Sequence, residues 1–282
     1  MYRTLSPGAI DVSVSFEAGA RLAARYGFEG LALDTGHLLE VGADAVRETL
    51  AEHSLKPGSF GLPVDIRGDA AAYEASLARL KPIAEAAQQV GCSRASTYIF
   101  SWSDDKDYRV NFRFHRERLA RPAAILAEHG ITLGLEFLGP KTLRDGHPYG
   151  FIYTVQGMLE LCEAVGTNVG LLLDAWHWYT SGGDQADLEL LNVKNVVDVH
   201  VNDAPAGIPL NEQVDSVRCL PGETGVVDLN TFLGSLQRIG YDGPVVVEPF
   251  NARLRAMPAE DAVRTTADAL AKVWREAGLT PA

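Results

Sequence analysis

Four titratable residues stand inside strongly apolar runs of the sequence, where an unpaired charge would be costly to bury. They are Glu136 in GLEFLG, Asp174 in LLLDAWHWY, His200 in DVHVND and Glu248 in VVVEPF. Three carboxylates and one imidazole suit a divalent cation, which would neutralise the carboxylates and be neutralised by them. The sequence therefore predicts a metal site made of these four side chains.

The ligand types indicate which metal is expected. An oxygen-rich set favours Mn²⁺, our first choice, or Mg²⁺, whereas the single imidazole makes Co²⁺ or Zn²⁺ acceptable. His177 follows Asp174 by three residues, so it is a further ligand, a donor to the substrate or a group that orients Asp174. We also expect Arg218, Trp102 and Trp176 to bind substrate, because guanidinium groups bind oxygens and aromatic rings suit the apolar faces of a sugar.

The elements that must position these residues alternate between short apolar runs and amphipathic helical patterns. Eight candidate strands lie near residues 3–5, 30–34, 57–63, 95–100, 132–138, 169–174, 196–201 and 244–250. Helical patterns cover residues 15–26, 43–54, 70–91, 108–130, 154–166, 185–192, 228–240 and 259–278. Three histidines, His53, His115 and His129, fall in these helices and are expected on solvent-exposed faces.

Strand–helix alternation predicts parallel strands joined by right-handed crossovers. Eight such units match a (β/α)₈ barrel of ~250 residues, so we predict an α/β fold with a single TIM barrel domain over residues 1–282. An open doubly wound sheet is the alternative, but the sequence has no GxGxxG fingerprint. Trp102 ends the predicted strand four, and strands five to eight carry the four titratable residues, which should meet at the carboxyl-terminal mouth.

The charge balance limits the partners. The chain has 25 Lys and Arg against 37 Asp and Glu, a formal charge of −12 at pH 7. Nucleic acids and anionic membranes require clustered positive charge, so neither is expected as a partner. We expect a cytoplasmic location for three reasons. The three cysteines have no CxxC spacing. The sequence also shows no signal-peptide pattern at its start and no apolar run of about 18 residues.

These residues together resemble the xylose isomerase-like TIM barrel superfamily, and within it the sugar phosphate isomerase/epimerase family of ketose 3-epimerases and inosose isomerases and dehydratases. The segment RCLPGETGVVDL at 218–229 is similar to the Pro-Gly-x-Gly-x-x-Asp segment of that family, with Thr224 inserted. The resemblance implies that Glu136, Asp174, His200 and Glu248 hold the metal and that the two glutamates transfer protons. It also implies a homo-oligomer, a dimer or tetramer.

The predicted reaction is isomerisation or epimerisation of a small sugar or cyclitol, a ketose or an inosose. A metal that binds the carbonyl and the adjacent hydroxyl oxygen stabilises the enediolate formed when the neighbouring proton leaves. Glu136 and Glu248 lie three strands apart in a ring of eight, so one can remove the proton and the other return it on the opposite face.

Three other functions are compatible with the same scaffold. A dehydratase acting on an inosose or on dehydroshikimate needs the same proton abstraction. A metal-free barrel that binds sugar without catalysis would leave the carboxylates of Glu136, Asp174 and Glu248 repelling one another. A DNA-repair endonuclease would need several more histidines on strands two to four, and strands three and four supply none; the formal charge of −12 also opposes DNA binding.

Overall fold

The computed structural model of the protein describes residues 1–280. Its strands are Tyr2–Leu5 (β1), Gly30–Leu31 (β2), Lys56–Pro57 (β3), Phe60–Gly61 (β4), Arg94–Ile99 (β5), Trp102–Ser103 (β6), Thr132–Phe137 (β7), Tyr149–Gly150 (β8), Val169–Asp174 (β9), Val196–Val201 (β10) and Pro244–Val247 (β11). All eight strands that the sequence predicts are confirmed, with the third divided into β3 and β4.

The α-helices are Phe16–Arg25 (α1), Thr35–Val41 (α2), Ala43–Glu52 (α3), Ala70–Ala78 (α4), Leu80–Val90 (α5), Tyr108–Glu128 (α6), Lys141–Arg144 (α7), Val155–Val165 (α8), Ala175–Thr180 (α9), Gln185–Glu189 (α10), Leu229–Arg238 (α11), Ala252–Arg255 (α12) and Ala259–Glu276 (α13). Two 3₁₀ helices span Gly8–Ile10 and Leu210–Glu212. Among residues 1–280, none of the helices combines the length and the apolar composition that a membrane crossing requires.

Nine strands form one parallel sheet that closes on itself. Their order is β3-β2-β1-β11-β10-β9-β7-β5-β4, and each neighbouring pair is parallel. The two ends of this order, β3 and β4, belong to one extended segment, residues 56–61. Counted as one strand, they close the sheet into a ring of eight strands. This arrangement confirms the (β/α)₈ barrel, and the prediction of an open doubly wound sheet as the alternative is wrong.

The closing segment needs a glycine. A Cβ atom on Gly58 would lie 2.9 Å from Thr4 Cγ2 and 3.0 Å from the carbonyl oxygen of Leu31, too close for any side chain. Gly58 also donates its N–H to that same carbonyl at 2.7 Å. The absence of a side chain thus lets the β3–β4 segment approach β1 and β2 closely enough to close the barrel.

The predicted helix at 70–91 is two helices, α4 and α5. Pro82 is the third residue of α5, in the first helical turn, where its missing N–H removes no helical hydrogen bond. Pro82 therefore marks a late helix start. One further prediction is wrong: His115 lies on the inner face of α6 and is only 5% exposed, with Asn111 and Leu119 one turn before and after it.

Trp102 does not end the fourth barrel strand, as the sequence had suggested. That strand, β5, stops at Ile99, and Trp102 begins β6, which pairs antiparallel with β8 through Trp102 and Gly150. The N–H of Phe151 donates to the Ser101 carbonyl at 2.8 Å and extends this pairing. The β6–β8 pair thus forms a small separate sheet beside the barrel mouth, built by a contact between distant segments.

Candidate metal site and active site

The four titratable residues of the apolar runs meet at the carboxyl-terminal edge of the sheet. Glu136 is the penultimate residue of β7, Asp174 ends β9, His200 is the penultimate residue of β10, and Glu248 follows β11. These strands are neighbours in the ring, and His200 is in register with Asp174. One ligand atom from each of the four residues lies within 4.8 Å of the others. The parallel fold alone explains this convergence, because all strand ends face one side.

Asp174 is held in one orientation by backbone and side-chain donors. It caps α9 by accepting a hydrogen bond from Trp176 N at 2.6 Å on Oδ1, and Asn202 Nδ2 donates to the same oxygen at 2.9 Å. The other oxygen, Oδ2, accepts from Arg218 Nη1 at 2.9 Å. Asp174 is fully buried, so these three donors account for how its charge is tolerated inside the protein.

Arg218 supplies the positive charge within the cluster. It is 2% exposed, and its Nη1 also donates to Glu248 Oε2 at 3.1 Å. Its Nη2 donates to Asp215 Oδ1 at 2.9 Å. The guanidinium contacts two aromatic rings, 5.4 Å from the centroid of Trp176 and 4.4 Å from that of Phe250. One cation therefore holds three carboxylates together in a fixed geometry.

Two buried polar atoms at the centre of the cluster have no hydrogen-bond partner among residues 1–280. They are Glu136 Oε1 and His200 Nδ1, and they lie 3.8 Å apart. His200 Nδ1 also lies 3.5 Å from Glu248 Oε2 and 3.9 Å from Asp174 Oδ2. Buried polar atoms are normally paired, so unpaired atoms facing one another are the arrangement expected of metal ligands. The residues present therefore fit a divalent cation.

The pKa values of the cluster reflect burial and the mutual repulsion of its carboxylates. Burial, reinforced by the Glu248 carboxylate, raises the pKa of Glu136 well above its usual value. Burial alone would lower the pKa of His200, but Glu248 and Glu136 outweigh it and raise this pKa. Burial would likewise raise the pKa of Glu248, but His200 and Arg218 lower it. The opposite shifts of His200 and Glu248 share one cause, the approach of His200 Nδ1 to within 3.5 Å of Glu248 Oε2.

His177 faces the same cluster from α9 and is 1% exposed. Its Nδ1 accepts a hydrogen bond from the N–H of Gly139 at 3.1 Å, so a neutral ring carries its proton on Nε2. Nε2 lies 3.9 Å from Glu136 Oε1 and 3.9 Å from Asp215 Oδ1. In this tautomer both Nε2 and Arg218 Nη2, 3.3 Å away, carry hydrogen, so that contact is not a hydrogen bond and the Nε2–H group can donate to an oxygen bound at the cluster.

A cavity of about 330 Å³ opens above these residues. Its polar side is formed by Glu136, His177, Asp215, Arg218 and Glu248, and its apolar side by Tyr98, Phe100, Trp102, Leu138, Leu143 and Phe250. A larger cavity of about 490 Å³ lies beside the ends of β1 and β2 and includes none of these side chains. The smaller cavity is the candidate active site, because it combines residues of the acidic cluster with an apolar surface for a ligand.

The predicted substrate-binding residues have different positions in this cavity. Trp102 is on the apolar wall, stacked on Phe100 with ring centroids 4.4 Å apart. Trp176 is fully buried beneath Arg218 and is not on the cavity wall, which corrects the expectation that it touches substrate.

Sequence reasoning missed two polar residues of the site. Asn202 stands two residues after His200 in the DVHVND run, and Asp215 stands three residues before Arg218, just outside the 218–229 segment. Asn202 is fully buried and donates to Asp174 Oδ1 and to the carbonyl oxygen of Glu248. Their closeness in sequence to Arg218 and His200 was the available signal.

Comparison with known proteins identifies the family. A family model described as "Xylose isomerase-like TIM barrel" matches residues 20–273. An inosose isomerase of Halalkalibacterium halodurans is 31% identical over 172 residues, 61% of this chain and 56% of that protein. The chain spans about half the length of the curated relatives that it matches in this way. Two other relatives match shorter stretches. A 3-dehydroshikimate dehydratase of Pseudomonas aeruginosa is 36% identical over 92 residues, 32% of this chain and 14% of that protein. A ketose 3-epimerase of Arthrobacter globiformis is 32% identical over 101 residues, 36% of this chain and 30% of that protein.

Solved structures share the complete fold. A xylose isomerase domain protein from Alicyclobacillus acidocaldarius superposes with a TM-score of 0.87 and 27% identity over 99% of both chains. The structure of IOLI protein, described as having "a binding zinc atom", has a TM-score of 0.81 and 21% identity over 98% of this chain and 99% of that chain. At that identity the second comparison concerns the fold alone.

Proposed function

The chain belongs to the xylose isomerase-like TIM barrel family, and from that premise we propose that it is a divalent-metal-dependent isomerase or epimerase of a small ketose or inosose. The observation that carries this proposal is the meeting of Glu136 and Glu248 at one cavity. They come from strands separated by two others in the ring, so they approach a bound molecule from different directions. Two carboxylates so placed suit removal of a proton on one face of a carbon and its return on the other.

Glu136, Asp174, His200 and Glu248 would hold the metal. A divalent cation bound there would stabilise the negative charge that develops on the substrate oxygens as the proton beside the carbonyl leaves. The three carboxylates favour Mn²⁺ or Mg²⁺, and the single imidazole keeps Zn²⁺ or Co²⁺ as alternatives.

The remaining residues would bind and orient the substrate. The Nε2–H group of His177 donates to a substrate oxygen, since its Nδ1 is engaged by Gly139 N. Arg218 holds the carboxylates of Asp174 and Glu248 in position through hydrogen bonds of 2.9 and 3.1 Å. The apolar wall that includes Trp102 packs against the hydrocarbon face of the ring and excludes water.

Proton exchange with solvent tests the proposal. Protein loaded with Mn²⁺ is incubated in D₂O with ketohexoses, an inosose and 3-dehydroshikimate, and NMR follows deuterium at the carbon beside each carbonyl. We expect exchange with a ketose or inosose, and a loss of at least about 100-fold in both Glu136→Gln and Glu248→Gln. The exposed Glu212→Gln is the matched control. Undiminished exchange in either site variant would refute the two-carboxylate scheme.

The same experiment separates the second candidate, a dehydratase. The 3-dehydroshikimate dehydratase relative is the observation that favours it. Dehydration starts with the same proton removal but expels a hydroxyl group, so the product has lost one water molecule and its mass is lower. An isomerised or epimerised product keeps the mass of the substrate, apart from the deuterium that it has gained.

We also infer that residues 1–282 act as one domain in a reducing cytoplasm. The thiols of Cys92 and Cys162 are buried and donate to the carbonyl oxygens of Gly58 and Gly170 at 2.9 and 3.1 Å. Reduced cysteines of this kind are typical of cytoplasmic proteins. Intact mass measured after thiol labelling under denaturing conditions would count three free thiols if this inference holds.

A further inference from the structure

Asp215 is a fourth carboxylate at the cavity, and the reaction proposed above gives it no task. Its side chain keeps 24% of its surface exposed, more than those of Glu136, Asp174 and Glu248. One oxygen, Oδ1, accepts from Arg218 Nη2. No residue of the described chain donates a hydrogen bond to the other oxygen, Oδ2. Asp215 therefore presents an unused acceptor on the polar wall.

The loop that carries Asp215 is anchored. Gln213 is 1% exposed, and its side-chain amide donates to the carbonyl oxygens of Pro205 and Ile208 at 3.2 and 3.0 Å. The Val217 N–H closes a turn around Asp215 by donating to the Val214 carbonyl at 2.9 Å. The carboxylate is thus held in position before any ligand arrives, as a selective site requires.

The polar wall offers no free cation. Arg218 is the only Lys or Arg among the described residues that line the cavity, and each of its three nitrogens already donates to an acceptor. Nε donates to the Asp215 carbonyl at 3.0 Å, Nη1 to Asp174 and Glu248, and Nη2 to the Asp215 carboxylate. The second N–H of Nη2 faces His177 Nε2 at 3.3 Å, so an anionic group on the substrate would meet a single N–H of a cation that three carboxylates already share.

The charges at the site do not cancel. Four carboxylates face one guanidinium, and a divalent cation of the kind proposed above would still leave one net negative charge. Asp174 and Glu248 each have Arg218 and the proposed metal beside them, and Glu136 has the metal. Asp215 has only Arg218, which it shares with two other carboxylates, so its negative charge is the least compensated. A surplus carboxylate next to a ligand repels anions and accepts hydrogen bonds from hydroxyl groups.

We propose that Asp215 is a specificity-determining residue that accepts a hydrogen bond from a substrate hydroxyl through Oδ2 and restricts the cavity to uncharged polyhydroxy ketones. The apolar wall opposite, with Phe100, Trp102 and Phe250, matches the hydrocarbon face of such a molecule. This inference rests on the proposed function for the identity of the cavity as the active site. Sugar phosphates and hydroxylated ring carboxylates are excluded as preferred substrates.

Equilibrium binding tests the role of Asp215 without turnover. Isothermal titration calorimetry on the full chain loaded with Mn²⁺ uses two unreactive ring polyols, the neutral myo-inositol and the anionic quinate. We expect the wild type to bind myo-inositol at least about tenfold more tightly than quinate, because quinate brings a second negative charge next to Asp215. Asp215→Asn should weaken myo-inositol binding about tenfold and so lower the ratio of the two affinities, myo-inositol to quinate. Glu212→Gln, on the same loop but outside the cavity, should change neither affinity.

The preference ratio distinguishes recognition from structural damage. Three results would each overturn the inference. In the first, Asp215→Asn weakens the binding of both ligands equally. In the others, the wild-type protein binds quinate as tightly as myo-inositol, or binds neither ligand. If Asp215→Asn fails to fold, Asp215→Glu replaces it and should retain the preference for myo-inositol. Metal content is measured for every variant and should match that of the wild type.

The test of the reaction and the test of Asp215 fail separately. If myo-inositol binds selectively but no ketose or inosose exchanges deuterium, the isomerase proposal is refuted and the role of Asp215 stands. If exchange occurs but an anionic substrate is preferred over the neutral ones, the role of Asp215 is refuted and the proton-transfer chemistry stands.

Discussion

Replacing Glu136 by glutamine should make the metal-free protein more stable while abolishing its stabilisation by metal. Glu136 Oε1 is buried with no partner among residues 1–280, and a buried polar atom in that state costs about 1–3 kcal/mol. The neighbouring Glu248 carboxylate adds repulsion to this cost. The amide has nearly the same shape and carries no charge, so the variant escapes the repulsion from Glu248 and the cost of burying a charge.

The magnitude can be converted into a melting temperature. With ~2.1 cal/mol/K of unfolding entropy per residue, a chain of 282 residues shifts its Tm by about 2 °C for each kcal/mol. We therefore expect Glu136→Gln to melt about 2–5 °C above the wild type in EDTA. Wild-type protein with Mn²⁺ at 100 times its Kd should gain about 2.7 kcal/mol, roughly 5 °C, and the variant should gain much less.

Differential scanning calorimetry with and without Mn²⁺ measures both effects, and Glu212→Gln controls for the loss of one negative charge. A variant that melts below the wild type in EDTA would show that Glu136 is well accommodated without metal. A variant that keeps the full increase with Mn²⁺ would show that Glu136 is not a ligand. Either result would refute the reasoning from the unpaired oxygen.

Three further predictions concern the scaffold. Gly139→Ala would place a Cβ against the carbonyl oxygen of His177, so we expect a loss of about 1–3 kcal/mol in urea unfolding and at least about tenfold lower exchange activity. Gly234→Ala, inside α11 with nothing within 4 Å of the added Cβ, should instead gain about 0.5–1 kcal/mol with unchanged activity; a loss would contradict the open space seen there. Burial lowers the pKa of His115 to about 4, so the unfolded chain binds more protons below pH 6.5, and stability falls as the pH drops from 6.5 toward 4. Between pH 7 and 5, the free energy of unfolding of His115→Leu should fall by about 2 kcal/mol less than that of the wild type. The same pH dependence of the unfolding free energy in both proteins would refute this.

The convergence of Glu136, Asp174, His200 and Glu248 was predictable from the sequence because each stands in an otherwise apolar strand. Parallel strands of a closed barrel end on one side, so identifying the strands is enough to bring their final residues together. The strands were readable because buried parallel strands are continuous apolar runs, as in VVDVHV and PVVVEP. The burial of His115 was also readable, since Asn111, His115 and Leu119 follow a spacing of four.

The placement of Trp102, Trp176 and Asp215 was not predictable in the same way. Trp102 is positioned by the pairing of β6 with β8, a contact between segments almost fifty residues apart that leaves no periodic pattern. Asp215 depends on hydrogen bonds from the Gln213 side chain to loop carbonyls. Loop conformations of this kind are set by individual tertiary contacts, which hydrophobic periodicity does not encode.

Arg218 explains how an acidic cluster can be buried in a barrel that must also fold. Replacing it with an apolar residue would leave the Asp174 carboxylate without its charged partner and Glu248 with only His200, and breaking a buried pair in this way costs about 3–5 kcal/mol. Yet the guanidinium reaches only one side of the cluster: Glu136 Oε1 and His200 Nδ1 are left unpaired on the other. The fold therefore neutralises part of the site with its own cation and leaves the remainder for a metal. A barrel whose carboxylates served stability alone would pair them all, so the incomplete pairing is the feature that separates a binding site from a structural ion-pair network.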